Sequence, residues 1–158
     1  MTPMRRKDRD AGEAFARTLL ANCTYATLSM SDGAGNPYAV PISPAFEDNV
    51  VYIHCALEGK KLDLIRKCPR VCLSCVGRTE NHPASYTVAY ESAVASGIAS
   101  VVEEDAERRH ALQLICEKYA PEFMDKFADH LDKQLARTVV IRVDITSITG
   151  KHNNTFGA

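Results

Sequence analysis

Residues 50–65 read VVYIHCALEGKKLDLI, and two periodicities meet inside them. Val50, Val51 and Ile53 are β-branched and Tyr52 favours strands, so the stretch begins extended. Alternation places Tyr52 and His54 on one face and Val51, Ile53 and Cys55 on the other. Leu57, Glu58 and Gly59 break that pattern, and from Lys60 the apolar spacing is helical, with Leu62 and Ile65 three apart. A titratable ring therefore ends a strand, a glycine turns the chain, and two lysines open a helix. Free N–H groups and the positive end of the helix dipole make lysines slightly unfavourable there unless an anion neutralises them. A phosphate is the obvious anion. The plainer alternative is that Lys60 and Lys61 face solvent and that His54 is structural.

Outward from this stretch, the chain divides into short extended and helical pieces. Before it, a polar arm over residues 1–8 precedes a helix begun by Asp10 and Glu13 and running to about Asn22. A strand over residues 24–30, the turn SDGAGN at 31–36 and a second strand over residues 37–46 make a hairpin. Pro41 and Pro44 mark that second strand as an edge or a bulge. After it, residues 71–76 are a strand, residues 77–85 a polar loop, and residues 87–103 a long strand bent at Gly97. Asp105 caps a helix that Pro121 stops. Phe123, Phe127, Leu131 and Leu135 follow in steps of four, a stripe for the core or for a partner. Residues 138–148 form the last strand, and a tail begins at Gly150. Short turns without β-α-β alternation predict a mainly β, α+β fold: a six-stranded antiparallel sheet closed into a small barrel with flanking helices.

Length and composition set bounds. The chain's 158 residues suggest a single domain with a substantial core. Its 19 basic and 20 acidic residues leave no general nucleic-acid footprint. No apolar run approaches the roughly 20 residues of a membrane span. Six cysteines without a secretory signal imply reduced thiols in a cytoplasm. Cys68-x3-Cys72-x2-Cys75 has an iron–sulfur spacing, but Cys72 and Cys75 fall on opposite faces of a strand, so no metal site is expected. His82, His110, His130 and His152 do not cluster at ligand spacing, and His110 and His130 sit on charged helical segments. No phosphate-binding P-loop, nucleophile elbow or dinucleotide fingerprint is present. Tyr90-Glu91-Ser92 either faces a ligand or lines the outside of the barrel.

The order of MRRKDR at residues 4–9, DGAGNPYAVPIS, YIHCALEGKKLDLI, YESAVASG and the terminal ITGK resembles the flavin-binding split-barrel proteins. The nearest branch is the 5-nitroimidazole-resistance-like group, relatives of pyridoxamine 5′-phosphate oxidase. The resemblance spans residues 4–152 and implies a homodimer of split barrels with FMN at the subunit interface. It implies that residues 38–43, with Val40, Pro41, Ile42 and Ser43, run along the flavin ring by their backbone. Gly59, Lys60 and Lys61 would hold the phosphate, Tyr52 and His54 would lie near the ring, and Ser92 would reach the partner's flavin. His54 would be the catalytic residue, donating a proton to a reduced small-molecule acceptor. The C-terminal arginine motif of the true oxidases is missing, which argues against pyridoxamine phosphate oxidation. A reductase, a flavin-binding module without turnover and a haem-binding barrel are the readings to separate.

Overall fold

Asp32 shows how the sequence closes its first hairpin. Its carboxylate accepts the amides of Ala34 and Asn36 at 2.8 and 3.1 Å, an Asx turn that returns the chain. In the computed structural model, which describes residues 4–157, β1 (Ala26–Ser31) and β2 (Pro37–Ile42) flank this turn. β3 (Ala45–Glu47), β4 (Val50–Cys55), β5 (Arg70–His82), β6 (Thr87–Val101) and β7 (Val139–Asn153) complete one antiparallel sheet. Its order is β2-β1-β5-β6-β7-β4-β3. The two edge strands are consecutive in the chain, joined only by Ser43 and Pro44, so the sheet must curl until its edges approach. Among the described residues no ladder joins them, and the barrel is split there. Proline explains the split in part, because Pro41 and Pro44 have no N–H to donate. Pro44 is fully buried, and its carbonyl accepts from Lys118 Nζ at 2.7 Å and the Tyr119 hydroxyl at 2.9 Å.

Two cores hold the sheet. Inside the barrel, Leu28, Ile53, Leu73, Ile141 and Val143 pack with Ala16 and Leu20 of α1 (Gly12–Asn22) and with Leu62 and Ile65 of α2 (Lys60–Lys67). α1 lies on β7 so closely that a Cβ at Gly150 would stand 2.9 Å from the Gly12 carbonyl oxygen and from the Phe15 ring. The chain leaving α2 bonds at the other end of β6, where Pro69 O accepts from Ala99 N at 2.8 Å. Outside the barrel, α3 (Asp105–Tyr119) and α4 (Phe127–Leu135) cover β3 and β4. Leu112, Ile115, Leu131 and Leu135 meet Val50, Tyr52 and Val140 there. Each fully buried aliphatic side chain contributes about 1.5–3 kcal/mol.

Several expectations need correction. The sheet has seven strands, because the expected strand over 37–46 divides at Ser43-Pro44 into β2 and β3. Residues 77–82 belong to β5, which pairs with β6 to His82 after a bulge between Val76 and Thr79; only Pro83–Ser85 forms the turn. β7 does not stop near 148 but continues to Asn153, so Lys151 and His152 are strand residues. The cap of α3 is Glu104, which accepts Glu107 N at 2.8 Å, and not Asp105. Asp10 does not cap the first helix: the N-cap is Ala11, with no side-chain cap, Asp10 accepts Gly12 N at 2.9 Å from one residue further out, and Glu13 pairs with Arg17 and closes no box. Within the arm, Lys7–Arg9 form a 3-10 turn, while residues 1–3 lie outside the described residues. The bulge at Ser96/Gly97 is as expected. So is the opposition of Cys72, facing out, and Cys75, buried in the barrel. Among the described residues no helix is long and apolar enough to cross a membrane.

Candidate active site at the split of the barrel

The gap between β2 and β4 opens a cleft of about 290 Å³, lined by Pro41, Ile42, Ser43, Ile53, His54, Lys61 and Tyr25. Its physical origin is the missing ladder. β2 pairs only with β1, so its other edge presents backbone groups to the cleft in place of a neighbouring strand. β4 runs into the cleft at its C-terminal end, where Ile53 is buried and His54 is exposed. The turn after β4 then delivers α2 to the same place.

The start of α2 suits an anion. Gly59 precedes it with φ at +144°, a conformation that side-chain-bearing residues rarely adopt. The Gly59 carbonyl accepts the amides of Leu62 and Asp63 at 2.9 and 3.3 Å. The amides of Lys60 and Lys61 are the donors left over, and no side chain caps them. Lys61 points into the cleft beside His54. Lys60 turns the other way, its amine 4.4 Å above the Tyr38 ring of β2. The helix therefore offers two free N–H groups, one cleft-facing ammonium and a second held within reach on an aromatic face.

His54 has its pKa lowered from the ordinary 6.5, first by partial withdrawal from water and second by the positive charge of Lys61. The ring is therefore neutral near pH 7, with one nitrogen able to donate and one to accept. A bound anion at Lys61 would cancel the second cause and raise the pKa.

The sequence-predicted residues separate into groups. Pro41, Ile42, Ser43, His54 and Lys61 meet in the cleft, and Gly59 and Lys60 adjoin it through the start of α2. Val40 lies on β2 with its side chain packed against the barrel core, so only its backbone is available to the cleft. Tyr52 is not brought there. It is 6% exposed in the layer under α3, and its hydroxyl donates to Glu107 at 2.9 Å beside the Arg142–Glu107 ion pair. Ser92 is also remote: it pairs with Lys151 on β7, whereas His54 pairs with Val140, eleven residues along the same strand. That separation is on the order of 30 Å of strand. Tyr25, 66% exposed at the rim of the cleft, escaped sequence reading. Its signal was an aromatic just before β1, in the polar phase that Thr27 and Ser29 continue.

The model of the pyridoxamine 5′-phosphate oxidase family matches residues 13–152. No curated protein matches. Among solved structures, a putative 5-nitroimidazole antibiotic resistance protein from Bacteroides thetaiotaomicron shares 24% identity over 90% of this chain and 84% of its own, with a TM-score of 0.76. A conserved hypothetical protein from Mycobacterium tuberculosis superposes with a TM-score of 0.82 at 17% identity, covering 99% of this chain and 94% of that one. An FAD- and haem-binding protein from Mycobacterium smegmatis gives 0.76 at 18% identity, over 94% and 74%. These likenesses establish the same barrel, and with the match over residues 13–152 they show that the chain belongs to the pyridoxamine 5′-phosphate oxidase family.

Proposed function

We propose that the protein is an FMN-dependent reductase that works as a homodimer and passes electrons to a small-molecule acceptor. The observation that carries this reading is the cleft itself. It joins an unpaired strand edge at residues 41–43, a neutral-leaning histidine and a lysine-opened helix start. In this reading the phosphate lies against the amides of Lys60 and Lys61 and their two ammonium groups. The flavin ring lies along the backbone of Val40, Pro41, Ile42 and Ser43. The cofactor supplies the electron transfer, and the protein orients it. His54 holds the proton that the reduced acceptor takes up. The similar FAD- and haem-binding protein supports a flavin in general, and the helix start favours a terminal phosphate.

Support for a second copy comes from the outer face of β5 and β6, which no helix covers among the described residues. Val76, Val94 and Ile98 are 62%, 42% and 40% exposed there, in register around Ser92. The stripe at Phe123, Phe127, Leu131 and Leu135 is not available for this purpose, since Leu131 and Leu135 are buried within the chain. Because Ser92 lies far from its own cleft, it reaches a flavin only in a partner.

The test is a visible spectrum of the protein incubated with FMN, followed by NADH or NADPH oxidation with wild type and His54→Ala. Bound flavin bands with turnover that falls in the variant at unchanged FMN affinity are expected. A haem Soret band, or flavin bound without any turnover, would replace the reading.

A further inference from the structure

His54 is the wall between two compartments. On one side is the cleft; on the other is a cavity of about 280 Å³ between β4, α3 and α4. The second cavity exists because the Phe127 and Leu131 face of α4 does not fill the space against Leu112, Ile115 and Cys116 of α3. It adjoins a further hollow of about 310 Å³, with which it shares Cys116, Phe127 and His130, and Phe123, 58% exposed, lies at that opening. An unfilled hollow forfeits dispersion contacts, so an apolar occupant is favoured.

We propose that this cavity binds a neutral, flat aromatic molecule carrying a hydrogen-bond acceptor, and that it is the compartment from which the acceptor substrate approaches His54. Its role in turnover rests on the flavin reading of the cleft; binding in the cavity does not. The chemistry of the walls selects the class. No carboxylate, amine or guanidinium lines the cavity, so a charged ligand would lose its hydration with only imidazole, amide and hydroxyl groups to meet it. Phe127 and Leu131 offer ring-sized apolar surface. Gln134, Thr138, His54 and His130 supply the polar groups that orient one acceptor atom.

Acetophenone, neutral and inert to reduction by bound flavin, is the probe; benzoate is the same ring with a charge. Both are titrated into methyl-labelled protein, with and without FMN, and followed by NMR. Saturable shifts at the methyls of Leu112, Ile115 and Leu131 are expected for acetophenone in both preparations, with benzoate at least about tenfold weaker. Cys116→Trp should fill the cavity and weaken acetophenone by a similar factor while FMN affinity stays within about twofold. Should that variant not fold, the acetophenone–benzoate comparison on wild type decides alone. Shifts confined to Ile42 and Ile53, no saturation, or equal binding of benzoate would overturn the cavity. Cavity shifts without any FMN binding would instead overturn the flavin reading and the substrate role with it.

Discussion

Replacing Lys61 by alanine should weaken FMN about 10- to 100-fold and leave riboflavin nearly untouched. The magnitude follows from where the two lysines stand. Lys61 is half-buried on the cleft wall with His54, so its ammonium needs no large rearrangement to meet a phosphate. One charge-assisted hydrogen bond contributes about 1.5–3 kcal/mol, and 1.4 kcal/mol is a decade in affinity. Lys60 differs. Its amine rests 4.4 Å above the Tyr38 ring, and leaving that ring costs about 0.5–1 kcal/mol. Lys60→Ala should therefore cost less than Lys61→Ala, and Tyr38→Leu should narrow the gap between them. The double variant should erase the preference for FMN over riboflavin without unfolding, since neither lysine packs in the core. Flavin fluorescence titrations at fixed salt measure this, because screening alters every such term. If the double variant keeps the full preference, the phosphate is held elsewhere, with Arg5, Arg6 and Lys151 the next candidates, and the reading of α2 fails.

Other consequences are equally open to measurement. Gly97→Ala places a Cβ 2.6 Å from the Asp144 carbonyl oxygen and 2.7 Å from Val143 Cγ1. It should destabilise the fold by about 1–3 kcal/mol in urea melts, and an unchanged midpoint would deny that the bulge is tight. The His54 ring should titrate below 6.5 by NMR, and Lys61→Ala should raise its pKa without restoring 6.5, since withdrawal from water is the larger cause. The unfolded chain takes its proton near 6.5, so this ring's contribution to stability is complete above that pH. It is lost as the pH falls from 6.5 toward the folded pKa. A His54 pKa above 6.5 in the flavin-free protein would contradict the electrostatics. Tyr52→Phe removes the 2.9 Å hydrogen bond to Glu107 and should cost about 1 kcal/mol of stability with FMN affinity unchanged. A drop in affinity beyond about threefold would return Tyr52 to the cleft.

What the sequence made legible was wherever burial imposes a period. The alternation through residues 50–55 separates Val51 and Ile53, inside the barrel, from Tyr52 under the helices, and the structure keeps that separation. What alternation cannot say is which face holds a ligand. Tyr52 and His54 share a side, yet α3 packs onto one and leaves a hollow against the other. Residues 77–82 were unreadable as strand because the outer part of the β5–β6 hairpin is largely solvent-exposed, so no apolar phase marks it; only pairing with β6 makes it β. Gly150 looked like an ending, but it is a glycine because α1 crosses there. The split was half visible, in Pro41 and Pro44, while the identity of the two edges depends on long-range order that no local signal carries. The cavity behind His54 arises from how two helices fail to fill a space, and periodicity records only that each has an apolar face.

The central claim is a flavin site completed by two copies of this chain, and chromatography with light scattering and absorbance on FMN-saturated protein tests it most directly. The account predicts one species of twice 17.4 kDa, with flavin absorbance eluting at one FMN per chain. A species of 17.4 kDa that emerges free of flavin after incubation with excess FMN would contradict it.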